Sequence, residues 1–121
     1  MKENVIQDKS YDFALRILRL HRYLVKNYKE GKTVSTQILR CVTSIGANVE
    51  EAEGGQSGKD FHAKMTIAYK EARETSFWLR LLHDGDYLDD RMFNSLFKDC
   101  EEILKILGSI QITMKNKINR S

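Results

Sequence analysis

Hydrophobic residues recur at the three- and four-residue steps of an α-helix in four successive segments of the chain. Turn and capping residues separate the segments: Gly31 ends the first, Gly54 and Gly55 end the second, Ser57 begins the third, and Gly85 ends it. The chain contains no proline, which would interrupt such helices. The pattern therefore predicts helices near residues 8–30, 34–53, 57–84 and 89–116.

Four helices joined by short turns are expected to pack as antiparallel neighbours around a shared core. The sequence therefore predicts an all-α fold, an antiparallel up-down-up-down four-helix bundle. A length of 121 residues leaves room for a single domain, spanning residues 1–121, and 41% hydrophobic residues are enough to build its core. The amino-terminal residues lack a hydrophobic run of the signal type, and no long apolar stretch is present, so we expect a cytoplasmic protein without membrane contact.

The first and fourth predicted helices carry more apolar residues than one buried stripe requires. On the fourth helix, a heptad seam from Phe93 to Met114 has apolar neighbours off the seam. Those neighbours are Phe97, Leu104, Ile106 and Ile112. On the first helix, one apolar arc is extended by a second set of residues: the arc is Tyr11, Ala14, Leu15, Leu18 and Val25, and the extension is Phe13, Ile17, Leu20, Leu24 and Tyr28. The surplus could thicken the core, but amphipathic helices of a bundle usually need one stripe each. We therefore favour a subunit interface and expect a homo-oligomer.

A polar stripe accompanies the apolar positions of the second helix. Its members recur at helical spacing: Gln37, Arg40, Ser44, Asn48 and Glu51. If the second and third helices form a hairpin, this stripe faces Glu71 and Glu74 of the third helix. In this hairpin, the residue beside Arg40 is Glu71 or Lys70. We expect Arg40 to form a buried ion pair with a glutamate of the third helix.

The same hairpin, centred on Gln56, predicts two further contacts of the stripe. Gln37 is expected beside Glu74, and Glu51 beside Lys59 or Asp60. We interpret Arg40, Ser44, Asn48, Glu51, Glu71 and Glu74 as a structural polar stripe.

The polar residues form no pattern typical of catalysis or metal binding. A ferritin-like di-iron bundle requires Glu-x-x-His, but leucine, lysine and arginine precede the three histidines by three positions. The aspartates from Asp84 onward lack the glycine and the glutamate of a calcium loop. Cys41 and Cys100 are typical of small core residues, and carboxylates beside an arginine are typical of a structural ion pair. We therefore predict a non-enzymatic protein with no catalytic residues, no metal and no cofactor.

A set of residues spread over most of the chain resembles the signature of a known family. The set is Arg40, Ser44-Ile45, Asn48, Glu51, Gly54, Ser57, Lys59, Phe61, Glu74 and Gly85-Asp86-Tyr87-Leu88. It is similar to the pattern of the four-helix-bundle proteins first noticed as reading frames inside intervening sequences of bacterial 23S ribosomal RNA. The chain departs from the family's Asn-Ile-Ala-Glu-Gly, because it has Asn48-Val49-Glu50-Glu51-Ala52, and it has Gln56 near a position where arginine is frequent.

The resemblance implies homopentamers in which bundles surround a central axis. A similar fold serves as the accessory protein of diversity-generating retroelements, which binds a reverse transcriptase and nucleic acid. The resemblance therefore implies a fold and an assembly, but it does not imply a specific biological function.

Basic residues on the first helix suggest contact with nucleic acid. Arg16, Arg19, Arg22, Lys26 and Lys29 share its polar side with Tyr23. Charge on an exposed face is ordinary, and one copy carries a formal net charge of only +3. Five copies would carry five times +3, or +15, so a weak basic surface would become multivalent. We predict binding of RNA or DNA through phosphates without strong sequence preference, and the alternative is a protein-interaction scaffold or accessory subunit with no direct role in nucleic-acid binding.

Overall fold

Four α-helices make up the protein in a computed structural model that describes residues 4–55 and 57–120, apart from the side chains of residues 118 and 120. The helices are α1 (Val5–Asn27), α2 (Gly31–Glu53), α3 (Gly58–Asp84) and α4 (Asp90–Arg120). The described residues contain no strand. The predicted all-α fold with four helices is confirmed.

Polar side chains cap the beginnings of three helices. Asn4 accepts a hydrogen bond from the backbone N–H of Gln7 at 3.1 Å, and Ser57 accepts one from that of Asp60 at 3.1 Å. Asp89 accepts a hydrogen bond from the backbone N–H of Met92 at 2.8 Å. Each cap satisfies a donor that the helix itself cannot pair. These contacts explain why α3 begins after Ser57 and α4 after Asp89, close to the predicted positions.

The prediction that Gly31 ends the first helix is wrong. α1 ends at Asn27, and Gly31 is the first residue of α2. A Cβ atom at Gly31 would lie 2.8 Å from the carbonyl oxygen of Leu24 and 3.1 Å from Cβ of Tyr28. The glycine therefore permits a close approach in the tight connection between two helices, rather than terminating one of them.

Side-chain contacts show that neighbouring helices run in opposite directions. Lys9 near the start of α1 forms an ion pair with Glu102 of α4 at 2.7 Å. His21, near the end of α1, contacts Ser35 near the start of α2. Thr66 of α3 contacts Gln111 of α4 at 2.9 Å. The helices contact one another in the cyclic order α1, α2, α3, α4, so α1 and α3 occupy diagonal positions in the bundle and point the same way.

One hydrophobic core lies between the four helices. Its largest fully buried side chains are Phe13, Ile17, Leu24, Ile38, Ile45, Met65, Leu79, Leu82, Ile103 and Leu107. The surplus apolar residues of α4 divide into two groups: Phe97, Leu104 and Ile106 pack partly buried against the core, whereas Ile112 is exposed. The wide apolar arc predicted for the first helix also divides: Phe13, Ile17, Leu20 and Leu24 are buried and Ala14 and Tyr28 partly buried, whereas Tyr11, Leu15, Leu18 and Val25 remain exposed.

Within the described part of the chain, no helix combines the length and the apolar character needed to cross a bilayer.

Candidate functional site

Arg40 of α2 joins α2 to α3 through both of the glutamates that the sequence indicated. Its Nη1 lies 3.2 Å from Oε2 of Glu71, and its Nη2 lies 2.7 Å from Oε1 of Glu74. Its Nε donates a hydrogen bond to Oε1 of Gln37 at 3.3 Å. The contact predicted between Arg40 and the third helix is present, whereas Gln37 contacts Arg40 rather than Glu74.

The predicted burial of this ion pair is wrong for a single chain. The Arg40 side chain is 49% exposed, against 38% for Glu74 and 18% for Glu71. The arginine reaches the carboxylates from the rim of the groove between α2 and α3, so its guanidinium keeps contact with solvent. Glu71 alone is largely withdrawn from water.

The contact predicted between Glu51 and Lys59 or Asp60 is also wrong. Glu51 lies near the end of α2 and forms an ion pair with Lys64 at 3.2 Å. Lys64 lies one turn further into α3, and side chains of a helix tilt toward its amino terminus, so the long lysine side chain reaches back toward Glu51. Asn48 is partly buried and donates a hydrogen bond to the carbonyl oxygen of Ser44 at 2.8 Å.

Cys41 and Trp78 belong to the same cluster and were not predicted there. Nη2 of Arg40 lies 3.4 Å from Sγ of Cys41, and Nε1 of Trp78 donates to Oε1 of Glu74 at 3.2 Å. We call Arg40, Cys41, Glu71, Glu74 and Trp78 the Arg40 cluster. The position of Cys41 next to Arg40, at the border between the polar and apolar stripes of α2, is the signal that could have placed it there.

The Arg40 cluster contains a set of atoms of the kind that can hold a metal ion. In the described residues, Cys41, Glu71 and Glu74 bring one potential ligand atom each to within 4.8 Å of one another. Burial, followed by the influence of Glu71, raises the pKa of the Cys41 thiol to about 12, so the thiol is protonated at neutral pH. The guanidinium of Arg40 already contacts all three groups. The geometry therefore favours a structural ion-pair cluster.

The basic residues of the first helix occupy different environments. Arg16 is bound to α4, because its Nη1 lies 2.5 Å from Oδ2 of Asp99 and its Nη2 donates to Oγ of Ser95 at 2.8 Å. Arg19, Arg22 and Lys26 are exposed, and none of the ion pairs among the described residues involves them. Lys29 lies outside the helix, in the connection to α2.

A groove between α1 and α4 gathers part of this basic set around an aromatic ring. It has a volume of about 300 Å³, and Arg16, Arg19, Leu20, Tyr23, Met92 and Leu96 line it. We call it the α1–α4 groove. Lys26 lies on the same side of α1 as Arg19 and Tyr23 by helical spacing, whereas Arg22 lies four residues after Leu18 and three before Val25, on the apolar side.

Exposed apolar side chains form two faces on diagonal helices. The α1 apolar face consists of Tyr11, Leu15, Leu18 and Val25, which are between 36% and 67% exposed. The α3 apolar face consists of Ile67, Phe77 and Leu81, which are between 43% and 50% exposed. The sequence indicated the first face but not the second, because Lys70 and Glu74 interrupt the apolar positions of α3.

Comparisons with known proteins identify relatives of the chain. The family model of the 23S rRNA-intervening sequence protein matches residues 2–109. A crystal structure of a protein with unknown function from the S23 ribosomal protein family of Bacteroides thetaiotaomicron is similar, with a TM-score of 0.85 and 48% sequence identity. That similarity covers 88% of this chain and 98% of the other. A search among curated proteins found no match.

Proposed function

The chain belongs to the family of 23S rRNA-intervening sequence proteins, and we propose that it acts as a non-enzymatic assembly module. In this proposal, copies of the bundle associate into a closed homo-oligomer, a homopentamer as the family resemblance implies. The assembly repeats the basic residues of α1 around its surface and binds RNA or DNA through phosphates. Neither the name of the family nor the description of the similar structure mentions an enzymatic activity.

The single observation that carries the proposal is the exposure of large apolar side chains outside the core. The α1 and α3 apolar faces together expose seven such side chains on two sides of a 121-residue bundle. Single exposed apolar residues are common, but several large ones on the same face of a helix indicate an interaction surface. Burial of such faces between copies would remove them from water and stabilise an oligomer.

Sedimentation equilibrium tests the assembly directly. A homopentamer of the 14.1 kDa chain has a mass of about 70 kDa. We expect that mass at micromolar protein concentration. A single-chain mass under the same conditions would contradict the proposal, and a dimer would contradict the ring.

The nucleic-acid part of the proposal rests on Arg19 and Lys26, which are exposed and have no ion-pair partner among the described residues. Arg16 and Lys29 extend the basic surface, although Asp99 offsets the charge of Arg16. Arg22 adds a positive charge at the border of this surface. Such a surface attracts phosphates irrespective of base sequence, because the contacts are made to the backbone.

The salt dependence of RNA binding tests whether the basic surface of α1 binds phosphates. If about five to eight phosphates are engaged across the assembly, raising salt from about 50 to 200 mM weakens binding roughly 500-fold to 20,000-fold. Fluorescence anisotropy with a labelled structured RNA would measure it. Reversing Arg19 and Lys26 to glutamate should flatten the salt slope and leave the oligomer mass unchanged.

A matched control is the reversal of Lys105 and Lys115, two exposed lysines of α4, which changes the net charge by the same amount. This control should retain most of the binding. If wild-type protein does not bind at low salt, or if both double variants bind alike, the α1 surface has no specific role. The alternative function, a protein-interaction scaffold, would then be favoured by the same exposed apolar faces.

A further inference from the structure

We propose that the homo-oligomer forms by heterologous contact: the α1 apolar face of one copy packs against the α3 apolar face of the next, with Arg22 beside Glu74. This inference rests on the proposed assembly and specifies its interface. It assigns Arg22 to contact between copies instead of contact with phosphate.

The exposed residues of both helices follow the spacing of a helix-packing seam. On α1, steps of four and three residues lead through Tyr11, Leu15, Leu18, Arg22 and Val25. On α3, the same alternating steps lead through Ala63, Ile67, Lys70, Glu74, Phe77 and Leu81. Alternation of three and four residues is the pattern that allows two helices to pack along their whole length. Both seams lie outside the core of their own bundle, and their large apolar side chains are at least 36% exposed.

The α1 seam carries one positive charge, Arg22, whereas the α3 seam carries one charge of each sign, Lys70 and Glu74. Of these two, Glu74 lies closer to the height of Arg22, as shown below. Arg22 is exposed and takes part in no ion pair among the described residues. Glu71 and Glu74 share one arginine, Arg40, so two negative charges meet one positive charge. A second guanidinium at Glu74 would balance the cluster. The side chain of Glu74 is 38% exposed, so one of its oxygens remains accessible to such a partner.

The heights of these residues in the bundle agree with this pairing. His21 of α1 contacts Ser35 of α2, and Arg40 of α2 contacts Glu71 and Glu74 of α3. Followed across the bundle, these contacts place Arg22 at the height of Phe77 and Trp78, slightly more than one helical turn beyond Glu74. Rotation about an axis parallel to the helices leaves every height unchanged. It thus leaves a height difference of about 7 Å between Arg22 of one copy and Glu74 of the next, which the long arginine side chain can span.

The position of the two faces favours a second copy of this chain as the occupant. α1 and α3 lie diagonally across the bundle and point in the same direction, so each copy presents two different faces, one on either side. A two-fold dimer pairs a face with itself, whereas a ring requires two different faces that complement each other. The pairing of Arg22 with Glu74 meets that requirement, whereas self-pairing of the α1 apolar face about a two-fold axis parallel to the helices would bring Arg22 toward Arg22.

Two interface variants and their mixture test the inference. The first is Leu15→Glu with Leu18→Glu, and the second is Phe77→Glu with Leu81→Glu. All four side chains are at least 36% exposed, so both variants should keep the folded bundle, which circular dichroism and a urea transition would verify. Ile112→Glu on α4, at a residue 65% exposed and outside both faces, is the matched control. Sedimentation equilibrium and native mass spectrometry give the mass of each sample.

Each interface variant alone should fall to the 14.1 kDa mass of one chain, because only one of its two faces is intact, while the control keeps the mass of wild type. An equimolar mixture should form a one-to-one complex of about 28 kDa, since the intact α1 face of one variant can meet the intact α3 face of the other. Arg22→Glu should lower the oligomer mass, and Arg22→Lys should retain it.

Three results would overturn the inference. If either interface variant keeps the wild-type oligomer mass, the copies associate through other surfaces, and the proposed assembly stands without this interface. If both variants are folded single chains that do not combine on mixing, the faces do not meet each other. If wild type itself is a single chain, the proposed assembly and this inference both fail.

Discussion

Removal of the Arg40 side chain should destabilise the bundle through the carboxylates it leaves behind. In Arg40→Ala, Glu71 loses its cation while its side chain stays only 18% exposed, and Glu74 loses a 2.7 Å contact. An exposed ion pair contributes about 0–1 kcal/mol, whereas removing one partner of a buried pair costs about 3–5 kcal/mol. Arg40 is half exposed and Glu71 is largely buried, so we expect a loss of about 2 kcal/mol in the free energy of unfolding.

That loss has a measurable thermal counterpart. Unfolding entropy of about 2.1 cal/mol/K per residue gives about 0.25 kcal/mol/K for a chain of 121 residues. A loss of about 2 kcal/mol therefore lowers the melting temperature by about 8 °C. Urea and thermal transitions followed by circular dichroism at 222 nm would measure both quantities. Every sample is held at the same protomer concentration, because association contributes to apparent stability.

The matched variants separate the charge from the packing of Arg40. Arg40→Met should lose less than Arg40→Ala, because methionine still covers the groove between α2 and α3. Glu71→Gln introduced into Arg40→Ala should recover part of the loss, since it removes the unpaired carboxylate. If Arg40→Ala costs less than about 0.5 kcal/mol, or if the effects of Arg40→Ala and Glu71→Gln simply add, the ion pair does not stabilise the hairpin of α2 and α3.

Two other predictions concern glycines and thiols. Gly31→Ala should cost about 1–3 kcal/mol because its Cβ would lie 2.8 Å from the Leu24 carbonyl oxygen. Gly46→Ala, with no atom within 4 Å of the added Cβ, should stabilise α2 by about 0.5–1 kcal/mol; urea transitions that rank the two glycines equally would contradict this. Burial, the largest of several causes for each thiol, raises the pKa of the Cys41 and Cys100 thiols from 9.0 to about 12. Protonated thiols are thus favoured in the folded state, so their contribution to stability is complete below pH 9 and is lost between pH 9 and 12, by about 1 kcal/mol per thiol at pH 10. Replacing Cys100 with alanine should reduce this alkaline loss, and an unchanged slope of unfolding free energy against pH would refute the assignment.

The sequence predicted the helices well because their periodicity and their capping residues agree. Ser57 and Asp89 begin helices where their side chains accept backbone hydrogen bonds, and Gly85 ends α3. Gly31 misled the prediction because glycine occurs both at helix ends and where two backbones approach closely. A sequence pattern does not distinguish these two uses, since the second depends on where a neighbouring helix lies.

The candidate site was predictable only in part, for a related reason. The spacing of Arg40 relative to Glu71 and Glu74 indicated their contact, because an antiparallel hairpin fixes which residues lie at equal height. The half exposure of Arg40 depends on how deeply the helices interlock, which spacing does not encode. The sequence pattern did not predict the α3 apolar face, because the charged residues Lys70 and Glu74 lie between its apolar residues.

The short connections of the bundle determine the order in which its surfaces can form during synthesis. Residues 28–30, 54–57 and 85–89 link the helices, so each helix meets its sequence neighbour first. The hairpin of α1 and α2 can close as soon as both have left the ribosome, and α3 can then add to it. The contact between α1 and α4 joins the first and the fourth helix, so it can form only after α4 has been synthesised. The α1–α4 groove is therefore the last surface to be completed, so a newly made chain can cover its core between α1, α2 and α3 before it offers that groove to any ligand.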